Sequence, residues 1–168
     1  MVEKFKTLFF VKSSLVTLYL ALTVPIPFVS DKDSRIFAVL AFLFGFLLII
    51  NITNDYVVTC DKKISYKASF ISNFLGKKNW EILWKDIKYI KSFSTSQGSK
   101  VHYFISKLDE SFLVPQRIEN LKEFFLIVSK NTNLKTNELS YISPLWTYKL
   151  LTFISVFMII CEIFAFSI

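Results

Sequence analysis

Residues 36–52 read IFAVLAFLFGFLLIINI, seventeen consecutive residues without a charge. That is the lower limit for a helix crossing a hydrocarbon core about 30 Å thick. Upstream, residues 7–29 read TLFFVKSSLVTLYLALTVPIPFV, with Lys12 as the one internal charge and Pro25 and Pro27 in the last turns. A lysine near the start of a span can carry its ammonium back to the interface on its alkyl stem. Prolines near a helix end cost no central hydrogen bond. The connection Ser30–Arg35 is polar and carries no net charge. Two spans joined by so short a turn read as a transmembrane helical hairpin. A cleaved leader is not expected, because no small-x-small site precedes Asp31 and a second span follows at once.

A third apolar run closes the chain: residues 145–168, LWTYKLLTFISVFMIICEIFAFSI. At 1.5 Å per residue its length reaches about 36 Å, enough to span. Pro144 punctuates its start, Trp146 and Tyr148 suit an interfacial belt, and Lys149 can snorkel. Glu162 is the awkward residue, since a carboxylate inside a span costs about 2.5–3.5 kcal/mol. The expectation is a place near the far headgroups, with an intramembrane functional charge as the alternative.

The composition agrees with this reading. The 168 residues are 53% hydrophobic and 17% aromatic, with nineteen Phe and only three Gly, which excludes disorder, collagen-like repeats and a secreted disulfide scaffold. Net charge is +7, and residues 53–144 hold fourteen basic and nine acidic groups of the total. With Lys4, Lys6 and Lys12 at the start and a neutral connecting turn, the positive-inside rule puts the N-terminus and residues 53–144 in the cytoplasm. A bacterial plasma membrane is the expected location, with a thylakoid as the alternative.

Between the spans the pattern changes to short runs. Tyr56–Cys60, Ile64–Phe70, Trp80–Trp84, Ile87–Phe93, Val101–Ser106 and Ser111–Val114 read as strands, with turns or loops at Asp61–Lys63, Phe74–Asn79, Lys85–Asp86, Ser94–Lys100 and Leu108–Glu110. After Pro115, apolar residues recur at three- and four-residue intervals from Ile118 through Asn131, as in an amphipathic helix. Six or seven antiparallel strands and one helix predict a small barrel or sandwich whose open end the helix plugs. The expected organisation is a transmembrane hairpin over 1–54, this β domain over 55–132, a linker over 133–144 and a last transmembrane helix over 145–168. The fold class is membrane α plus soluble β.

That order of elements resembles the bacterial pleckstrin-homology-like (PH-like) domains of small membrane proteins. The residues that carry the resemblance are Asp61-Lys62-Lys63-Ile64, Trp84-Lys85-Asp86-Ile87-Lys88-Tyr89-Ile90, Asp109-Glu110-Ser111-Phe112-Leu113-Val114-Pro115 and the helix Ile118–Asn131. It covers about residues 55–132 and departs from the pattern in a short loop at 76–79 and in the added third span. The hairpin-plus-domain outline is also similar to the photosystem I assembly factors of cyanobacteria and chloroplasts. The resemblance implies a PH-like barrel with a C-terminal capping helix and a basic rim at its open end.

No catalytic pattern is present. His102 is the lone histidine and reads as a solvent-facing or satisfied strand residue; no GxSxG, Walker A, HExxH or GxGxxG motif occurs. Asp109-Glu110 reads as turn chemistry, and Cys60 and Cys161 as small apolar fillers. No metal, cofactor or nucleic acid is expected: Trp80, Trp84 and Tyr89 fall at core-like spacing rather than as a stacking platform. The positive signal is the lysines Lys62, Lys63, Lys77, Lys78, Lys85 and Lys88 in or beside turns, each worth about 1 kcal/mol at an anionic surface. The expected function is a non-enzymatic, membrane-anchored binding or scaffold module that contacts another membrane protein and anionic lipid. The alternative is an accessory subunit of a transport or photosynthetic membrane complex, either an assembly factor or an ion-handling subunit using Lys12 and Glu162.

Overall fold

The structure is a computed structural model, and it describes residues 2–96, 98–136 and 139–167. In chain order the first elements are β1 (Glu3–Lys6), α1 (Phe9–Thr23), α2 (Pro25–Val29), α3 (Lys32–Ile52), β2 (Tyr56–Thr59), β3 (Lys63–Lys67) and α4 (Phe70–Phe74). Then follow β4 (Trp80–Leu83), a 3-10 turn over Trp84–Asp86, β5 (Ile87–Ser94), β6 (Lys100–Ser106), β7 (Ser111–Leu113), α5 (Leu121–Thr132) and α6 (Leu145–Ser167). Two compact units emerge, one of Met1–Leu8 with Asn54–Ser143 and one of Phe9–Thr53 with Pro144–Ile168.

The first unit holds two antiparallel sheets, in the orders β1-β2-β3-β4 and β5-β6-β7. Its first strand lies ahead of the first apolar run, in residues counted from sequence with the hairpin. Glu3, Lys4, Phe5 and Lys6 pair with Thr59, Val58, Val57 and Tyr56. The apolar helices α1–α3 are therefore inserted between two neighbouring strands of one sheet. Beyond β1, Leu8 N–H donates to the Arg117 carbonyl and Glu119 N–H to that of Lys6, closing the outer edge of the strand.

The expected closed barrel is not formed. Among the described residues the two sheets share no ladder. The 3-10 turn diverts the chain between β4 and β5, and a three-residue β7 is too short to reach round. Side chains join the sheets instead. Trp80 stacks on Tyr66 and meets the rings of Phe104 and Phe112 at 6.3 and 5.5 Å. The core gathers Phe5, Val57, Ile64, Ile82, Trp84, Ile87, Phe104 and Val114 with Leu121, Phe124, Phe125 and Val128 of α5. Phe5 meets Phe124 edge-on at 5.5 Å, a geometry worth about 0.5–1.5 kcal/mol beyond simple burial.

Two local readings change. Phe70 opens α4 rather than ending a strand, because Ser69 caps the helix by accepting from the Ser72 amide. Gly76 follows at φ 94°, a left-handed turn that a side chain would strain.

In the second unit, Phe9–Val29, Lys32–Ile52 and Leu145–Ser167 are each long and apolar enough to cross a membrane. The first is not one continuous helix. It breaks at Val24, where Pro25 and Pro27 withhold backbone donors. Tyr19 of α1 donates its hydroxyl to the Phe42 carbonyl of α3 at 2.6 Å and stacks on the Phe42 ring. On α6, Thr152 lies 3.5 Å from Ser13 and Lys149 stands over the Phe10 ring.

Candidate functional site

The strand alternation of the first unit gives each sheet an inner and an outer face. On the four-stranded sheet, cross-strand neighbours Phe5, Val57, Tyr66 and Trp80 share the inner side. Its outer side carries Lys4, Lys6, Lys63, Lys67 and Glu81, a solvated surface of the usual kind. Lys63 binds Glu81 there at 2.7 Å, and that carboxylate raises the lysine pKa.

The three-stranded sheet is different, because its outward face is rich in apolar and aromatic side chains. Ile90, Phe104 and Phe112 point to the core, while Tyr89, Phe93, Val101, Tyr103, Ile105 and Leu113 occupy the other side. Register sets Phe93 against Val101, Lys91 against Tyr103 and Tyr89 against Ile105, and on the far side of β6 it sets Tyr103 against Leu113 and Ile105 against Ser111. Phe93 meets Tyr103 edge-on at 5.7 Å, and the Lys91 ammonium stands 4.9 Å from the Phe93 centroid. Tyr89 is 41% exposed, Phe93 48% and Leu113 50%. A shallow groove of about 790 Å³ runs over these side chains, with Thr95, Asp109 and Ser111 as its polar margin. An outward sheet face is usually polar, and this one departs from that pattern.

The sequence-selected lysines do not converge on a single rim. Lys62 and Lys63 open β3, at the end that pairs with Leu83 and receives the Trp84 N–H. Lys85 follows one residue later, in the 3-10 turn. Lys77 and Lys78 precede Trp80, which pairs with Tyr66 at the opposite end of β3. That second end also carries Lys6 and Lys67, register partners of Tyr56. Lys63, Lys77 and Lys88 are engaged with Glu81, Asp55 and Asp109, the last at 3.6 Å. Lys62, Lys78 and Lys85 are exposed.

A polar node that sequence reading missed centres on Asp55, 8% exposed. Its carboxylate accepts from Tyr66 Oη at 2.6 Å, the Ser69 amide at 2.8 Å and Lys77 Nζ at 2.8 Å. Burial opposes ionisation, yet the hydrogen bonds of Lys77, Ser69, Tyr66 and Ser72 hold the carboxyl below its ordinary value. Burial and the same pairing push the Tyr66 phenol up. With Thr7 Oγ1 donating to the Asp55 carbonyl at 2.9 Å, the node ties β1, β3 and α4 together.

His102 is neither solvent-facing nor fully satisfied. It is 1% exposed, Nδ1 pairs with Ser92 Oγ at 2.7 Å, and Nε2 has no partner among the described residues. Burial, and then the positive charge of Lys100, lower its pKa, favouring the neutral ring. Asp109 and Glu110 lie in the β6–β7 turn, where Ser106 Oγ accepts from the Leu108 and Glu110 amides. Among the described residues no group of His, Cys, Asp and Glu is arranged to hold a metal ion. Lys12 lies in α1 and Glu162 in α6, both in the second unit.

No protein-family model matches the chain. It is similar to an uncharacterized protein of Synechocystis sp., with 27% identity over 148 residues that cover 84% of this chain and 74% of the relative.

Proposed function

We propose that the protein is a non-enzymatic, membrane-anchored binding or scaffold module that holds another membrane protein. Its three apolar helices anchor it, and its β domain is a PH-like domain facing the cytoplasm. The observation that carries the reading is the aromatic outer face of β5, β6 and β7, whose exposed rings with a polar margin suit a protein contact. Seven short antiparallel strands followed by a helix on the core support the PH-like assignment. Anionic lipid is a secondary contact. Lys67, Lys77 and Lys78 share the sheet end next in sequence to the helices, where headgroup attraction of about 1 kcal/mol per free lysine would act.

Purification of the full chain in mild detergent tests this. The expected result is a discrete partner in fixed stoichiometry, lost on Phe93→Ser with Tyr103→Ser and kept on Lys62→Glu. A lone monomer whose association with acidic vesicles survives both changes would refute the protein-partner reading and leave lipid recognition in its place. The ion-handling alternative predicts a different pattern, in which Glu162→Gln abolishes function while the partner stays bound.

A further inference from the structure

The polar groups of the second unit are arranged around a break in its first helix. Three contacts fix how α1 and α2 run beside α6: Phe10 with Lys149, Ser13 with Thr152 and Phe28 with Phe166. The partners are 138 or 139 positions apart in each case, so the helices run parallel and Glu162 comes level with Thr23 and Val24. Along α6 the less exposed positions Leu151, Thr152, Ser155, Ile159 and Glu162 recur at helical spacing. Glu162 therefore shares the stripe whose Thr152 meets α1. Its Oε2 is sealed from solvent and has no hydrogen-bond partner among the described residues.

At that level the backbone is short of donors. Proline has no N–H, so Pro25 and Pro27 leave the carbonyls of Ala21 and Thr23 without the donor each would receive from four residues on. An ionised carboxylate there would add acceptor lone pairs to acceptors already in excess, in hydrocarbon, where unpaired polar groups cost several kcal/mol. A neutral carboxylic acid supplies the missing donor.

We propose that Glu162 is a proton-binding site: it keeps its proton within the helix seam and directs its O–H toward the carbonyls that Pro25 and Pro27 set free. Among the described residues no ionised partner competes. On α1 the nearest titratable group is Tyr19, whose hydroxyl is committed to Phe42, and Lys12 lies some three turns toward the other end. α2 has no titratable residue. Asp31, Lys32, Asp33 and Arg35 belong to the connection and first turn beyond Val29, and Tyr148, Lys149 and Cys161 are the remaining titratable groups of α6. The proposal stands apart from the partner-binding reading.

Dicyclohexylcarbodiimide, which partitions into bilayers and adds to protonated carboxyls, tests it on the full chain in neutral-lipid vesicles. One adduct is expected, mapped to Glu162, declining as pH rises and lost in Glu162→Gln. A water-soluble carbodiimide should leave the residue unmodified. Modification by the water-soluble reagent would overturn the proposal in favour of a headgroup-level acid. So would failure of both reagents, or protection by sodium but not choline chloride, which would make the site a cation site. Glu162→Gln retains an N–H donor, so its helical circular dichroism should match the parent and show that lost labelling is not lost folding.

Discussion

Asp55 follows three residues after an apolar helix, where an acid usually serves only to mark the interface. In the folded chain it accepts from groups 11, 14 and 22 positions further along. Removing it orphans a buried phenol and the backbone amide of a capping residue. Asp55→Ala should cost about 2–4 kcal/mol, measured by thermal unfolding of the full chain in detergent. Lys77→Met should cost less than about 1 kcal/mol, because the lysine is 53% exposed and water takes over its pairing. His102 makes a second residue-level prediction. Its folded pKa is lowered from 6.5, so the unfolded state takes up a proton first as pH falls. Stability present above 6.5 should decline through the window between that value and the lowered one. His102→Gln should flatten this slope and leave the more acidic one due to Asp55, whose held-down carboxyl loses its contribution only as pH falls through the carboxylate range. The inward place of His102 was not settled by sequence, because a lone polar residue in an alternating strand fits either face. Nor was the Asp55 node, because nothing local to an acid announces partners so far along the chain.

Among the elements, the two sequence misses are both short. The four residues of β1 contain one apolar side chain, Phe5, and merge in sequence with the helix that begins at Phe9. No periodicity can be read from so little. Yet Phe5 is 5% exposed and lies against Phe124, so Phe5→Ala should destabilise the β domain by about 3–5 kcal/mol, seen as loss of cooperative unfolding in tryptophan fluorescence. The helix α4 was hidden because Ile64, Tyr66 and Ala68 continue a period of two up to its cap. Ser69→Ala should cost about 1 kcal/mol, on the same measurement. The long helices and α5 were legible from length and spacing alone. On β6, Val101, Tyr103 and Ile105 alternate with His102 and Phe104, with large side chains on both faces, so periodicity could not show which side stays open. Closure into a barrel was likewise beyond reach, since it depends on a three-residue turn between β4 and β5.

For the whole molecule, the spans and the +7 charge lead to one expectation about sidedness. A cysteine placed by Ser96→Cys, with Cys60→Ala and Cys161→Ala, should react with an impermeant maleimide only after cells are permeabilised. Reaction in intact cells would put the β domain on the outside and remove the cytoplasmic partner.

The placing of two hydrophobic segments between adjacent strands also governs biogenesis. The ribosome makes Glu3–Lys6 first, but its mate Tyr56–Thr59 emerges only after both segments have been synthesised. The β domain can therefore finish folding only after α1, α2 and α3 have been made. A soluble fragment beginning at Asn54 would lack a quarter of its larger sheet's strands, leaving Val57 uncovered and β2 open to pairing with another molecule.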